Sequence, residues 1–116
     1  LIMEKIVWQS LLYDFYGELL TEHQKSIYEE VIFNDYSISE VAKDEGISRQ
    51  GVHDLIKRCN KILEEYEGKL HLVEKFLHIK DKVDKINTLT HDYIDNRDIE
   101  LIGQIQNISN EILEEL

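Results

Sequence analysis

Between Ser48 and Lys61 the chain reads SRQGVHDLIKRCNK. A hydroxyl, two guanidinium groups, two amides, an imidazole and two ammonium groups fall within about four helical turns. These are donors and cations, suited to holding an anion and reading hydrogen-bond acceptors rather than to breaking bonds. At about 100° per residue, with Gln50 as zero, His53, Asp54, Lys57 and Lys61 lie within about 60° of it. Val52, Leu55, Ile56, Cys59, Ile62, Leu63 and Tyr66 cluster on the opposite side. One face is core and the other is polar and mostly basic. On a nucleic acid, Ser48 and the neighbouring backbone N–H groups would meet a phosphate. Arg49, Gln50 and His53, in the first turns, would reach base edges, with arginine suited to guanine and glutamine to adenine. Lys57, Arg58 and Lys61 would contact phosphates further along. Asp54 repels phosphate in the middle of this face; it is expected to hold Arg58 at i+4, the other option being to accept from a cytosine N4. The competing reading is a solvated helix face with ordinary i,i+4 pairing.

The charge distribution favours contact. The chain of 116 residues carries a formal net charge of -11. Residues 1–47 hold 3 basic and 10 acidic side chains, and residues 62–116 hold 6 and 13. Residues 48–61 hold Arg49, Lys57, Arg58 and Lys61 against Asp54 alone, a net +3. The one basic window therefore coincides with the polar helix face. The acid elsewhere weakens non-specific attraction to phosphate and could dock a basic protein.

The elements that must position this face read as helices. There is no proline and only five glycines, which points to an all-α chain. A first helix is predicted from Glu4 to Leu20, with Trp8, Leu11, Leu12, Phe15 and Leu19 on its inner face. Thr21-Glu22-His23-Gln24 has the form of a capping box and starts a second helix to Phe33. Asn34-Asp35-Tyr36 reads as a turn. Ser37-Ile38-Ser39-Glu40 is a second capping box, opening a short helix with Ile38, Val41 and Ala42 inward. Gly46-Ile47-Ser48 breaks it, and Ser48 caps a long helix to Glu67. Gly68 is the expected C-cap. A further helix from Leu70 to Leu89 offers Val73, Phe76, Leu77, Val83 and Ile86. Thr90 to Asn96 is polar and partly helical, and Asp95 or Asn96 caps a last helix to Leu116. In that helix Leu101, Ile105, Ile108 and Ile112 are spaced 4, 3 and 4, like a coiled-coil seam. The seam either packs back within one chain or joins two chains; a homodimer is expected. The chain divides into residues 1–68, a helix-turn-helix domain, and 69–116, a helical extension.

The spacing around Gly46 carries the helix-turn-helix reading. Counting from Ile38, Ala42 is fifth, Gly46 ninth, Val52 fifteenth and Leu55 eighteenth. Ala42 is small where the second helix crosses close above it. Gly46 permits a positive φ at the end of the first helix. Ile47 and Val52 fill the wedge between the two, so the second helix presents its N-terminal half outward.

The stretch LTEHQKSIYEEVIFNDYSISEVAKDEGISRQGVHDLIKRCNKIL, from Leu20 to Leu63, resembles region 4 of bacterial sigma factors. With SLLYDFYGELLTEHQ before it and ILEEYEGKLHL after it, the chain resembles the YlxM-like family of small bacterial helix-turn-helix proteins, best over residues 3 to 72. That family usually has alanine where Gly51 stands and often an aromatic where His53 stands. The resemblance implies a sigma-region-4-like domain and a DNA-binding regulatory role. It also implies a place in the signal recognition particle pathway, because the genes of such proteins tend to sit beside those of its GTPases.

Other chemistry finds little support. His23, His53, His71, His78 and His91 are scattered, and Cys59 points to the core side, so no metal is expected. Glu29-Glu30, Glu64-Glu65 and Glu114-Glu115 are adjacent in sequence and diverge on a helix. No phosphate-cradling glycine loop and no nucleophile–base constellation occurs, so neither an enzyme nor a cofactor is expected. Trp8, Tyr13, Phe15, Tyr16, Tyr28 and Phe76 are read as core. No apolar run approaches the roughly 20 residues of a membrane helix, no basic-then-apolar leader is seen, and Met3 reads as the natural initiator. The single cysteine suits a reducing cytosol. The expected partner is DNA, with RNA on the same face. The alternative is an adapter whose helix-turn-helix domain binds protein, such as a signal recognition particle component.

Overall fold

A computed structural model describes residues 3–116; the apolar start read at Leu1 and Ile2 lies outside them. The described residues form six α-helices and no strand: α1 (Lys5–Tyr16), α2 (Glu22–Tyr28), α3 (Ile38–Glu45), α4 (Arg49–Leu70), α5 (Leu72–Asn96) and α6 (Glu100–Glu115). The chain is all-α, a helix-turn-helix domain with additional C-terminal helices. It divides into two compact units, Leu1–Val73 and Glu74–Leu116.

In the first unit, the caps act where the sequence puts them. The Thr21 hydroxyl accepts from the Gln24 N–H while the Gln24 side chain accepts from the Thr21 N–H, a complete capping box. At Ser37 only half the box forms: its hydroxyl accepts from the Glu40 N–H at 3.1 Å. Gly46 ends α3 at φ 68°, in the left-handed region, which glycine enters without steric penalty. α2 runs into a single π-helical turn, residues 29–33, which brings Phe33 against Tyr13 and Tyr28. The core beneath the helix-turn-helix is Ile27, Val41, Ala42 and Val52, with Val31, Ile38, Leu55 and Ile56 around it. Ile47 was expected in that wedge but is 39% exposed. The turn after Gly46 leaves it at the surface, and Val52 is buried with Ile27, Val41 and Ala42 beneath.

α1 buries a different stripe from the one its apolar spacing suggests. Gln9, Leu12 and Tyr16 face inward, while Phe15 and Leu19 are exposed. The reason lies in hydrogen bonding. The Tyr16 hydroxyl donates to buried Glu67 at 2.6 Å and accepts from the Leu72 N–H at 3.2 Å. Glu67 also accepts from the Val73 N–H at 2.9 Å. A carboxylate on the core face of α4 thus caps the start of α5, where orphan N–H groups and the dipole favour negative charge. Burial and the Glu67 hydrogen bond together raise the Tyr16 pKa. Of the aromatics read as core, Tyr16 and Tyr28 are fully buried, whereas Phe15 and Phe76 are exposed.

α4 does not stop at Gly68. It continues to Leu70 and is capped by His71 in the left-handed conformation, φ 56°. A methyl group added at Gly68 would meet nothing within 4 Å. Gly68→Ala is therefore expected to stabilise the chain by about 0.5–1 kcal/mol in urea unfolding, through helix propensity alone. A left-handed C-cap at Gly68 would give a loss instead.

In the second unit, α5 runs without a break through Thr90 to Asn96. This stretch was expected to be only partly helical. The Thr90 hydroxyl returns to the Ile86 carbonyl at 2.8 Å, so its polarity is satisfied within the helix. The turn to α6 is held by Asn96, which accepts from the Asp98 N–H, and by Asp98, which accepts from the Glu100 N–H. α6 folds back on α5: Lys82 meets Glu115 at 2.7 Å and Glu111 at 3.4 Å, and His78 meets Glu115 at 3.2 Å. Leu101, Ile105, Ile108 and Ile112 are half-buried. Ile102, Leu113 and Leu116 remain exposed.

The hydrogen bond from Lys82 holds the Glu115 carboxyl below its ordinary value of 4.5. A depressed carboxyl contributes stability above its unfolded value, and that contribution is lost as pH falls through the folded one. An NMR titration of the Glu115 carboxyl carbon is expected to show a midpoint below 4.5 that returns upward in Lys82→Met. An unchanged midpoint in the variant would dismiss the pair.

Candidate nucleic-acid interface

α3 and α4 start side by side. Ser37 caps the first and Ser48 the second, each hydroxyl accepting from the N–H three residues on. Ser48 does so from Gly51 at 2.9 Å, and its carbonyl accepts from the Val52 N–H at 3.1 Å. Capping satisfies only some of the free donors at a helix start. Among the described residues, the N–H groups of Arg49 and Gln50, and those of Ile38 and Ser39, have no acceptor.

Around these donors lies an open recess of about 620 Å³, lined by Ser37, Ile38, Ser39, Ser48, Arg49, Gln50 and His53. Four residues singled out from the sequence, Ser48, Arg49, Gln50 and His53, therefore come together. Ser37 and Ser39 join them, read before only as part of a cap. Two Ser caps on either side of a helix-turn-helix turn are the signal that could have found them, since that turn juxtaposes the two helix starts.

Lys57, Arg58 and Lys61 do not line the recess. They continue along α4, exposed, with Lys57 and Lys61 in register with Gln50 by helical angle. Among the described residues no carboxylate pairs with Arg49, Lys57, Arg58 or Lys61, whereas Lys25, Lys80, Lys82 and Lys85 all have acidic partners. The cations of the basic window are thus available to an outside anion.

Asp54 departs from expectation. It does not hold Arg58; its Oδ1 accepts from the Gln50 side-chain Nε2 at 2.9 Å. Gln50 and Arg58 each lie one turn from Asp54, about 40° around the helix on either side, so helical spacing alone does not choose between them.

Behind the face, the helix is held rigidly. Asn60 accepts from the Tyr28 hydroxyl at 2.6 Å and from Gln9 at 3.4 Å, tying α4 to α2 and α1. Trp8 donates to Glu64 at 2.7 Å. Burial pushes the Tyr28 hydroxyl up to about 12 and the Cys59 thiol up to about 11. Cys59, fully buried, is a core side chain with no thiolate to offer at neutral pH.

A second recess, of about 440 Å³, lies on another side of the same unit, lined by Ser10, Tyr13, Asp14, Glu29, Phe33 and Asn34. The Tyr13 hydroxyl donates to Glu29, and burial followed by that bond raises its pKa. Its two carboxylates and two aromatic rings suit a cation. Among the described residues no helix is long and apolar enough to cross a membrane.

Residues 3–107 match the profile of a family described as "Putative helix-turn-helix protein, YlxM / p13 like". A UPF0122 protein of Thermoanaerobacter sp. (strain X514) is 42% identical over 112 residues, covering 96% of each chain. The UPF0122 protein of Clostridium acetobutylicum is 40% identical over 108 residues, 90% of this chain and 93% of that one. That of Acetivibrio thermocellus is 49% identical over 80 residues, 69% and 68% of the two chains.

Proposed function

The chain belongs to the YlxM / p13-like helix-turn-helix family, and on that footing we propose that it is a DNA-binding regulatory protein that works by recognition and not catalysis. The observation that carries this reading is the convergence of two helix starts and Arg49 on one recess, continued by an unpaired basic face. A backbone phosphate enters the recess and takes hydrogen bonds from the free N–H groups of α3 and α4. Arg49, Gln50 and His53 then stand at the base edges. Lys57, Arg58 and Lys61 follow the phosphates beyond. RNA would use the same donors. The acid outside the window keeps non-specific affinity low, so selectivity comes from fit at the recess.

The finer placing, in the signal recognition particle pathway of the cytoplasm, rests on the family resemblance alone. A homodimer, with α5 and α6 as the dimerising extension, is supported by the exposed stripe of Ile102, Leu113 and Leu116 and by the habit of helix-turn-helix readers of binding half-sites as pairs.

Fluorescence anisotropy with a labelled random duplex, from low to physiological salt, tests the reading. Binding should weaken with a slope equivalent to roughly three to five released counterions. No binding at any salt would contradict it. The recess at Asp14 and Glu29 favours a second reading, an adapter for a basic protein. A pull-down from nuclease-treated extract should then yield a partner that Asp14→Lys loses, and an empty result counts against that reading.

A further inference from the structure

We infer that Asp54 is a positioning residue that sets Gln50 to read adenine and refuse guanine; the inference rests on the nucleic-acid reading of the α4 face. A glutamine amide is ambiguous as a reader. Turned one way it offers a carbonyl and an N–H; turned the other it can lead with its two N–H groups. Adenine presents an N6–H donor beside the N7 acceptor in the major groove, and guanine presents two acceptors, O6 and N7. A freely rotating amide can serve both.

Asp54 removes the ambiguity. An ionised carboxylate only accepts, so the amide end 2.9 Å from its Oδ1 is the nitrogen. One N–H is then engaged, and Oε1 and the other N–H remain. That pair complements N6–H and N7 of adenine. It cannot give two donors to O6 and N7 of guanine without breaking the bond to Asp54. Gln50 is the second residue of α4, in the N-terminal part of the helix that reaches base edges.

The placement of Asp54 fits this role better than a stabilising one. It is the single acid among the cations of the basic window, and it weakens attraction to phosphate. With Arg58 at i+4 available, it bonds instead to a neutral amide. An i,i+4 hydrogen bond of this kind stabilises a helix only slightly, whereas a correctly set bidentate pair discriminates between bases about tenfold or more.

Binding-site selection from a random duplex pool tests it, run on the wild type, Asp54→Asn, Asp54→Ala and Gln50→Ala. All these side chains are exposed or half-exposed on the outer face, and circular dichroism checks that each variant is folded. The wild type should enrich adenine over guanine at one position about tenfold, and Asp54→Asn, whose amide can donate as well as accept, should weaken that preference. Asp54→Ala should bind at least as tightly overall but lose that preference, as should Gln50→Ala. An adenine preference that survives Asp54→Ala, or binding by the wild type without any base preference, overturns the inference and leaves the nucleic-acid reading standing. Failure of the wild type to bind any duplex overturns the reading itself and this inference with it.

Discussion

Reversing two charges on α4, Arg49→Glu with Lys57→Glu, should abolish duplex binding while leaving the fold intact. Arg49 lines the recess between the two helix starts, and Lys57 stands two turns further along the same helix, exposed. Neither has an acidic partner to lose. Losing an arginine at a base edge costs about 1–3 kcal/mol, and losing a phosphate lysine lowers the salt slope by about one. Replacing each cation by an anion adds repulsion to both losses. The double variant should bind at least roughly 100-fold more weakly at low salt. Its unfolding midpoint should move by no more than a surface substitution does, about 0.5 kcal/mol. Unchanged affinity would move the interface away from this face.

The largest effect on stability is expected at Glu67. Its carboxylate, 7% exposed, holds the Tyr16 hydroxyl and the Val73 N–H together. Glu67→Ala strands both donors in the interior and opens a cavity beside Leu63. Each stranded donor costs about 1–3 kcal/mol, so the first unit should lose roughly 2–6 kcal/mol. Urea unfolding followed by Trp8 fluorescence reads this, because Trp8 sits on α1 and donates to Glu64 of α4. Tyr16→Phe should cost less, because Glu67 keeps the Val73 N–H. A loss below about 0.5 kcal/mol for Glu67→Ala would mean that the carboxylate is not a structural cap.

These two cases also mark where the sequence was legible. Helix-turn-helix spacing is a strong signal because each of its positions has a separate steric cause. Ala42, Gly46 and Val52 all sit where that spacing requires. The polar face of α4 was legible for the same reason: a 22-residue helix leaves little doubt about which side is wet. The inner stripe of α1 was not. Phe15 and Leu19 are more apolar than Tyr16, yet Tyr16 turns inward because Glu67 and the Leu72 N–H await its hydroxyl. No periodicity rule weighs a hydrogen bond formed with residues more than fifty positions away. Buried Glu67 was hidden likewise, since a glutamate on a core face makes sense only beside the helix start that it caps.

Glycine and polar stretches misled at the other end. Gly68 and the run from Thr90 to Asn96 look like breaks by local preference. Within long helices their weak preference is outweighed by their neighbours, and the threonines bond back to their own helix. The left-handed residues are instead His71 and Arg97, neither of which announces a cap. At the recess, Ser48, Arg49, Gln50 and His53 were legible as neighbours. The partner of Asp54 was not, because Gln50 and Arg58 are both four residues away.

The central claim is that the recess at the starts of α3 and α4 receives nucleic acid. An NMR titration of the nitrogen-labelled protein with a short duplex tests it most directly, residue by residue. The account predicts the largest amide shifts at Ile38, Ser39, Arg49 and Gln50, whose N–H groups would meet phosphate, with smaller ones along Lys57 to Lys61. Shifts centred on Tyr13, Asp14 and Phe33, or confined to α5 and α6, would contradict it.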